Sequence, residues 1–263
     1  MDLGLRDRVA VVAAASRGLG RAIAAELAAE GAAIVVCARK QEALERARAE
    51  ITERTGAEVH AVVADVATQE GTDTVAAEAF ARFGRVDILV TNAGGPPSGP
   101  FEAHGWDAWE RAVQLTLRSA VELTRLVLPA MKERRWGRII NVTSITVKQP
   151  VDGLMLSNST RAAVTGFART LATEVAPFGI TVNNILPGYT RTDRVEQLNR
   201  ATAEREGIPI ENVQSRIESQ IPMGRLGEPR EFAALAAFLA SERASYITGQ
   251  SMAVDGGWIR ALY

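Results

Sequence analysis

Short apolar runs alternate with longer helix-periodic segments seven times along the chain. Val9–Ala13, Ile34–Ala38, Val59–Val63, Val86–Val90, Arg138–Val142, Ile180–Ile185 and Ser251–Val254 read as strands. Between them, Arg17–Glu30, Gln41–Thr55, Gly71–Phe83, Trp106–Arg134, Leu156–Val175 and Glu228–Ala240 read as helices, and Thr192–Gln220 as mixed polar helix. The strands are Val/Ile/Ala-rich with few polar interruptions, the pattern of strands covered on both faces. Strand–helix alternation of this kind builds a parallel sheet with helices on both sides. The fold expected is α/β: a single Rossmann-type doubly wound domain over residues 1–263, with a seven-stranded parallel sheet. Residues 189–223 are the least patterned part and read as a helical insertion on the substrate side.

A chain of 263 residues buries about 75% of the surface it exposes when unfolded, so it needs no metal or disulfide to hold it. Its one cysteine, Cys37, reads as a small buried apolar residue, and its two histidines, His60 and His104, as loop or edge residues. A Cys/His metal site lacks ligands here, so none is expected. The net charge of -1 argues against a nucleic-acid-binding surface. Residues 1–8 alternate acidic and basic groups, unlike a signal peptide, and no run of 18 apolar residues occurs, so a cytoplasmic protein without membrane contact is expected. Lysine and tyrosine are scarce: Lys40, Lys132 and Lys148, with Tyr189, Tyr246 and Tyr263, are all there are.

The turn Ala14-Ala15-Ser16-Arg17-Gly18-Leu19-Gly20 joins the first strand to a helix. A turn of this kind aims backbone N–H groups and the helix dipole at one point, where a pyrophosphate can sit. Gly18 permits close backbone approach and Gly20 close helix-on-strand packing. Two glycines alone equally describe an ordinary strand-to-helix turn. Further short motifs follow in order: Asp65-Val66, Asn92-Ala93-Gly94-Gly95, Asn141-Val142-Thr143-Ser144, Pro187-Gly188 with Thr192, Gly224–Pro229, and Ile247–Gln250 leading to Val254–Gly257. In this set and order the chain resembles the short-chain dehydrogenase/reductase family, and within it the 3-oxoacyl-carrier-protein reductases, over nearly its whole length. Ala14 stands where that family has its first loop glycine.

The resemblance implies a cofactor site. Ser16, Arg17, Gly18, Leu19 and Gly20 would hold the pyrophosphate, Asp65 and Val66 the adenine, and Asn92, Ala93 and Gly94 the floor beneath the nucleotide. Pro187, Gly188, Thr190 and Thr192 would lie along the nicotinamide. Asp65 also reads as a helix N-cap. An NAD site places an acid at the end of the second strand; here that position is Ala38, followed by Arg39, with Arg17 in the glycine loop. Two guanidiniums without a carboxylate favour a 2′-phosphate, so NADP(H) is expected over NAD. Alternatively, Arg39 and Lys40 are a solvated helix start.

The catalytic positions depart from the family. Its chemistry uses an Asn, a Ser and a Tyr-x-x-x-Lys pair; Ser144 matches the serine, but Ser157 stands for the tyrosine, Arg161 for the lysine and Thr116 for the asparagine. A phenol has a pKa of about 10 that a neighbouring cation lowers, an aliphatic hydroxyl is a far weaker acid, and arginine stays protonated. Losing a general acid costs about 10²–10⁴-fold in rate. Tyr189 is the nearest substitute phenol, or else a pocket wall; Lys148 is a second substitute or a surface residue. Arg161 with Arg191 would suit a carboxylate or acyl phosphate. Ser157–Thr160 also reads as a helix N-cap cluster. The leading expectation is an NADP(H)-dependent oxidoreductase reducing a ketone or 3-oxoacyl carbonyl, its small-molecule substrate including acyl thioesters. The alternatives are a nucleotide-binding pseudoenzyme, acting as sensor or scaffold, and a lyase or isomerase on the same fold. The resemblance also implies a homo-oligomer, tetramer or dimer, joined through the helices near 106–134 and 156–176, with Trp258–Tyr263 meeting a neighbour or closing the pocket.

Overall fold

The computed structural model describes residues 2–262; Tyr263 lies outside them. Strands β1 (Val9–Val12), β2 (Ala33–Ala38), β3 (Val59–Val63), β4 (Ile88–Thr91), β5 (Gly137–Val142), β6 (Ile180–Pro187) and β7 (Ser251–Val254) are all parallel, in the order β3-β2-β1-β4-β5-β6-β7. The order reverses between β1 and β4, so the crevice at the carboxyl ends of these two strands is where such a sheet takes its ligand. All seven expected strands are present, with ends shifted by one or two residues.

Alternation within each strand divides the core. Ala10, Val12, Ile34, Val36, Ile88 and Val90 face α1 (Gly18–Ala29), α2 (Gln41–Thr55) and, further along the chain, the helix Pro229–Ala240. Val11, Val35, Cys37, Leu89 and Ile139 face α3 (Gln69–Phe83) and the helices of 119–134 and 155–175. A side-chain period of two sends neighbours to opposite faces, and both faces are covered, so successive positions of these strand segments are apolar. Cys37 is buried among these residues, and burial pushes its thiol up to about 11. It therefore stays protonated at neutral pH, and iodoacetamide should leave the native chain unlabelled while labelling the urea-unfolded chain. Rapid alkylation of the native protein would contradict that packing.

The segment expected as one helix over 106–134 is interrupted. It consists of α4 (Trp106–Val113), a π-helical turn (Gln114–Arg118) and α5 (Ser119–Arg134). Ser119 Oγ donates to the Leu115 carbonyl at 2.6 Å, and Arg118 reaches from Gln114 to Gln69 Oε1 on α3, which holds the widened turn. Next come α6 (Met155–Val175), α7 (Asp193–Glu206), α8 (Ile210–Gln220) and α9 (Pro229–Ala240). The mixed 192–220 segment is thus two helices, joined at Gly207 (φ 66°). No described helix is long and apolar enough to cross a membrane. Among the described residues, no group of three or more His, Cys, Asp or Glu side chains is placed to hold a metal ion.

Candidate active site

The glycine turn is built by one strained residue and one clamp. Ala14 has φ 50°, in the left-handed region that costs an L-residue about 1–2 kcal/mol. Asn92, just past β4, donates through Nδ2 to the carbonyls of Ala13 and Ala14 at 3.2 and 3.3 Å, holding that turn against the switch point. A Cβ on Gly20 would lie 2.5 Å from the Ala14 carbonyl oxygen, so close helix–strand packing requires glycine there. Replacing Ala14 by glycine should stabilise the chain by about 0.5–1 kcal/mol, the relieved strain less the added unfolded-state entropy. A denaturant titration in which the midpoint falls would overturn this.

Helix α1 begins at Gly18 after Arg17 with no side-chain cap, so its first N–H groups remain free for an anion. A Cβ on Gly94 would meet nothing within 4 Å, so the loop after β4 lies against open space where a nucleotide floor belongs. Leu19 and Ser16 complete the turn, half-buried, and Ala93 is half-buried beside Gly94. At the far end Val66 is buried, Asp65 Oδ1 accepts from Ala67 N at 3.0 Å, and Arg39 Nη1 lies 3.8 Å from Asp65 Oδ2. The N-cap of α3 is Thr68, not Asp65: Thr68 Oγ1 accepts from Gly71 N at 3.0 Å. Asp65 is thus left beside Arg39 at the carboxyl ends of β2 and β3. Arg17 does not join Arg39; it crosses the groove and pairs with Asp193 of α7 at 3.0 Å. Thr192 packs against Gly18 from the same side. The residues present therefore fit a dinucleotide.

The turn expected along the nicotinamide is held by backbone. A Cβ on Gly188 would lie 2.6 Å from the Asp255 Cα, which fixes the Pro187-Gly188 turn against the Val254–Gly257 segment. Buried Thr190 pairs with Gly227 in an isolated parallel bridge, with Gly227 N on the Tyr189 carbonyl and Arg191 N on the Gly227 carbonyl.

One guanidinium organises the catalytic positions. Arg161, on the second turn of α6, donates through Nε to Ser157 Oγ at 3.2 Å and through Nη1 to the carbonyls of Val142 and Thr143 at 2.9 and 2.8 Å. It thereby ties Ser157 to the end of β5, one residue before Ser144. Ser144 Oγ accepts from Thr146 N at 3.2 Å. Each serine oxygen thus already accepts a hydrogen bond, and each O–H is left to donate. Ser157–Thr160 is not a capping cluster: α6 starts at Met155, and Ser159 and Thr160 bond back to the carbonyls of Met155 and Leu156. Arg161 is half-buried, and lost hydration followed by the nearby Arg194 charge pushes it down to about 10, so it remains protonated at neutral pH.

Thr116 is buried in the π turn, which packs against α6, and its hydroxyl has no partner; the Thr143 hydroxyl is likewise unpaired. Widened turns of this type recur at functional sites. Tyr189 stands edge-on to Trp258, with ring centroids 5.8 Å apart, in an apolar cluster with Ile145, Leu186 and Ile221. Burial pushes its phenol up, away from neutrality, which does not favour it as a substitute acid. Trp258 is itself buried in this cluster of its own chain. Lys148 is exposed. Arg191 does not join Arg161; it pairs with Glu228 at 3.0 Å in the open. Arg194 lies with its guanidinium against Gly95, where a Cβ would be 2.7 Å from Nε, and donates to the Pro96 carbonyl at 2.8 Å. Sequence reasoning missed Arg194, which no local motif marks.

A parallel sheet with an uncapped helix N-terminus at its switch point is the architecture of the dinucleotide-binding class. The family model described as enoyl-(acyl carrier protein) reductase matches residues 13–259. The chain belongs to this family and to the short-chain dehydrogenases/reductases. It is 32% identical to the 3-oxoacyl-(acyl-carrier-protein) reductase of Aquifex aeolicus, over 98% of this chain and 99% of that one. Among solved structures it resembles L-sorbose reductase from Gluconobacter frateurii complexed with NADPH and L-sorbose, with a TM-score of 0.94, 36% identity and full coverage of both chains. An actinorhodin polyketide ketoreductase variant with NADPH follows at TM-score 0.93 and 32% identity, covering 97% of this chain and 98% of that one.

Proposed function

We propose that this chain reduces a ketone or 3-oxoacyl carbonyl with NADPH, using Ser144 and Ser157 as paired hydroxyl donors in place of a serine and a phenol. The observation that carries the reading is the Arg161 bridge, which brings Ser157 to the strand end that bears Ser144. A hydroxyl whose oxygen accepts from a guanidinium is a stronger donor than a free one, because the cation offsets the charge left behind. The two O–H groups hold the substrate oxygen and stabilise the negative charge it gains. Ser157 then supplies the proton, and the unpaired Thr116 and Thr143 hydroxyls supply partners for a water that replaces it. When bound, the nicotinamide supplies the hydride. Residues 16–20, 92–94 and Thr192 would hold its pyrophosphate and floor, and Thr190 with Gly188 the nicotinamide end. Arg39 would hold a 2′-phosphate. The NADPH named with the two solved reductases supports this cofactor.

The test is NADPH consumption over a panel of ketones and 3-oxoacyl thioesters, wild type against Ser144→Ala. No substrate oxidising NADPH faster than that variant would end the reading. For the cofactor, Arg39→Asp should weaken NADPH about 10-fold or more, through one lost charge-assisted contact and one new repulsion, while NADH weakens less. Equal losses for both by fluorescence titration would remove the 2′-phosphate role.

Arg161's bonds to two main-chain carbonyls also support a second reading, in which the guanidinium is a structural clamp and the chain binds nucleotide without turnover. Tight NADPH binding with no turnover on the whole panel would favour it. The outer faces of α4 and α6, where Trp106, Met155, Ala162 and Ala163 are exposed, support assembly as a homo-oligomer, which light scattering would test.

A further inference from the structure

A row of polar side chains crosses four neighbouring strands just below the candidate site. Thr91 on β4, Asn141 on β5, Asn184 on β6 and Ser251 on β7 stand directly opposite one another in the strand register. Thr91 Oγ1 donates to Asn141 Oδ1 at 2.7 Å, Asn141 Nδ2 to Asn184 Oδ1 at 3.1 Å, and Asn184 Nδ2 to Ser251 Oγ at 3.0 Å. The first three residues are buried and Ser251 is half-buried. All three bonds run the same way across the sheet, so each polarises the next. Two positions earlier, and so on the same face, stand Leu89, Ile139 and Val182, in the apolar layer under α5 and α6. The row therefore lies on the side of the sheet covered by α6, the helix that carries Ser157 and Arg161.

Stability does not require this row. Among the described residues these four side chains bond only one another, whereas Asn183, next to Asn184, takes the Gln250 amide and donates to the Ile247 carbonyl. No main-chain group would be orphaned if all four became apolar, and exchanging bonded partners for apolar groups of the same shape is nearly neutral. What apolar contacts lack is direction: burial tolerates a small slide, while a hydrogen bond fixes both distance and angle. The row meets the site at two places. Thr91 precedes Asn92, whose amide clamps the carbonyls of Ala13 and Ala14 in the glycine turn. Asn141 precedes Val142 and Thr143, whose carbonyls seat Arg161, and Ser144 follows them. Resting on the carbonyl-reduction reading above, we propose that Thr91, Asn141 and Asn184 are positioning residues, whose cross-tie sets the ends of β4 and β5 against each other and so the glycine turn against the serine pair. They act through Asn92 and Arg161, and not on the substrate.

The experiment compares wild type with Thr91→Val, Thr91→Ser and the apolar row Thr91→Val/Asn141→Leu/Asn184→Leu/Ser251→Ala. Each is read by urea midpoint, by NADPH dissociation constant and, on the same ketones and 3-oxoacyl thioesters, by kcat and KM. Valine has the shape of threonine without its hydroxyl. Thr91→Val should weaken NADPH about 5-fold and lower kcat about 10-fold with KM changed less than about 3-fold, since misplacement slows the reaction more than it weakens substrate binding. Thr91→Ser keeps the hydroxyl and should stay within about 2-fold of wild type in every reading. The apolar row leaves no buried polar group unpaired, so it should unfold near the wild-type midpoint and still show both losses. That separates position from stability. An apolar row that binds NADPH and turns over as the wild type does would overturn the proposal, as would Thr91→Val matching Thr91→Ser throughout. If the apolar row fails to fold, the two Thr91 variants decide. If the wild type reduces nothing on the panel, the reductase reading alone fails, and the NADPH affinity of Thr91→Val against Thr91→Ser still decides the row.

Discussion

Replacing Ser144 by alanine should lower kcat/KM for carbonyl reduction by about 10²–10³-fold, with most of the loss in kcat. The hydroxyl's partner oxygen gains negative charge only as the reaction proceeds, so the interaction strengthens in the transition state, and removing one such donor costs about 2.7–4 kcal/mol. Ser144 sits at the N-cap of a short 3-10 turn (Ile145–Val147) and is half-buried, so the loss of its own bond to Thr146 N costs little stability by comparison. Ser157→Ala should show a loss of similar size, and the double variant should lose much less than the product, because the two donors act on one oxygen. Strict multiplicativity would show that they act separately. A Ser144→Ala enzyme with wild-type kcat would remove the serine from the chemistry altogether.

The second large effect belongs to the cofactor turn. Gly20→Val should destabilise the chain by about 2–4 kcal/mol and weaken NADPH by at least 100-fold. The added Cβ would stand 2.5 Å from the Ala14 carbonyl oxygen and 2.8 Å from Asn92 Nδ2, so neither backbone nor clamp has room to yield. Moving α1 away shifts its free N–H groups from the switch point, and the strained Ala14 turn loses the Asn92 bonds that hold it. Urea unfolding with and without saturating NADPH reads both terms, since a bound ligand raises stability by its mass-action factor. A variant that unfolds at the wild-type midpoint and gains the same increment from NADPH would show that the turn is not built this way.

The legibility of this chain follows the range of the interactions concerned. Strand positions such as Val11 and Val12 or Val35 and Val36 were readable because each is decided by burial on a two-sided sheet, and burial leaves a local apolar run. The glycine turn was readable because a close approach demands a residue without a side chain at Gly20. The π turn over Gln114–Arg118 was not, since it depends on Arg118 reaching Gln69 forty-nine residues earlier, and the 106–134 periodicity continues through it. Asp65 read equally as an adenine contact and as the cap of α3, until geometry gave the Gly71 amide to Thr68, an acceptor three residues on in the same loop. Arg17 and Arg191, expected at the nucleotide and at the substrate, are engaged by Asp193 and Glu228, partners brought near only by the folded loop after β6.

What the order of residues determined alone was the alternation of elements and the strand, tight turn and helix at the first strand, while the reading of Ser157 and Arg161 in place of a phenol and an amine came from the family resemblance. Each of these is a matter of residue type at a local position. Tertiary structure decided where these side chains sit. Arg161 spans from α6 to the carbonyls of Val142 and Thr143 and ties Ser157 to that strand end, and Arg194 reaches the Pro96 carbonyl from α7. A guanidinium's charge is fixed by its chemistry, but its function depends on which groups share its low-dielectric surroundings, and those are set by packing between elements distant in the chain.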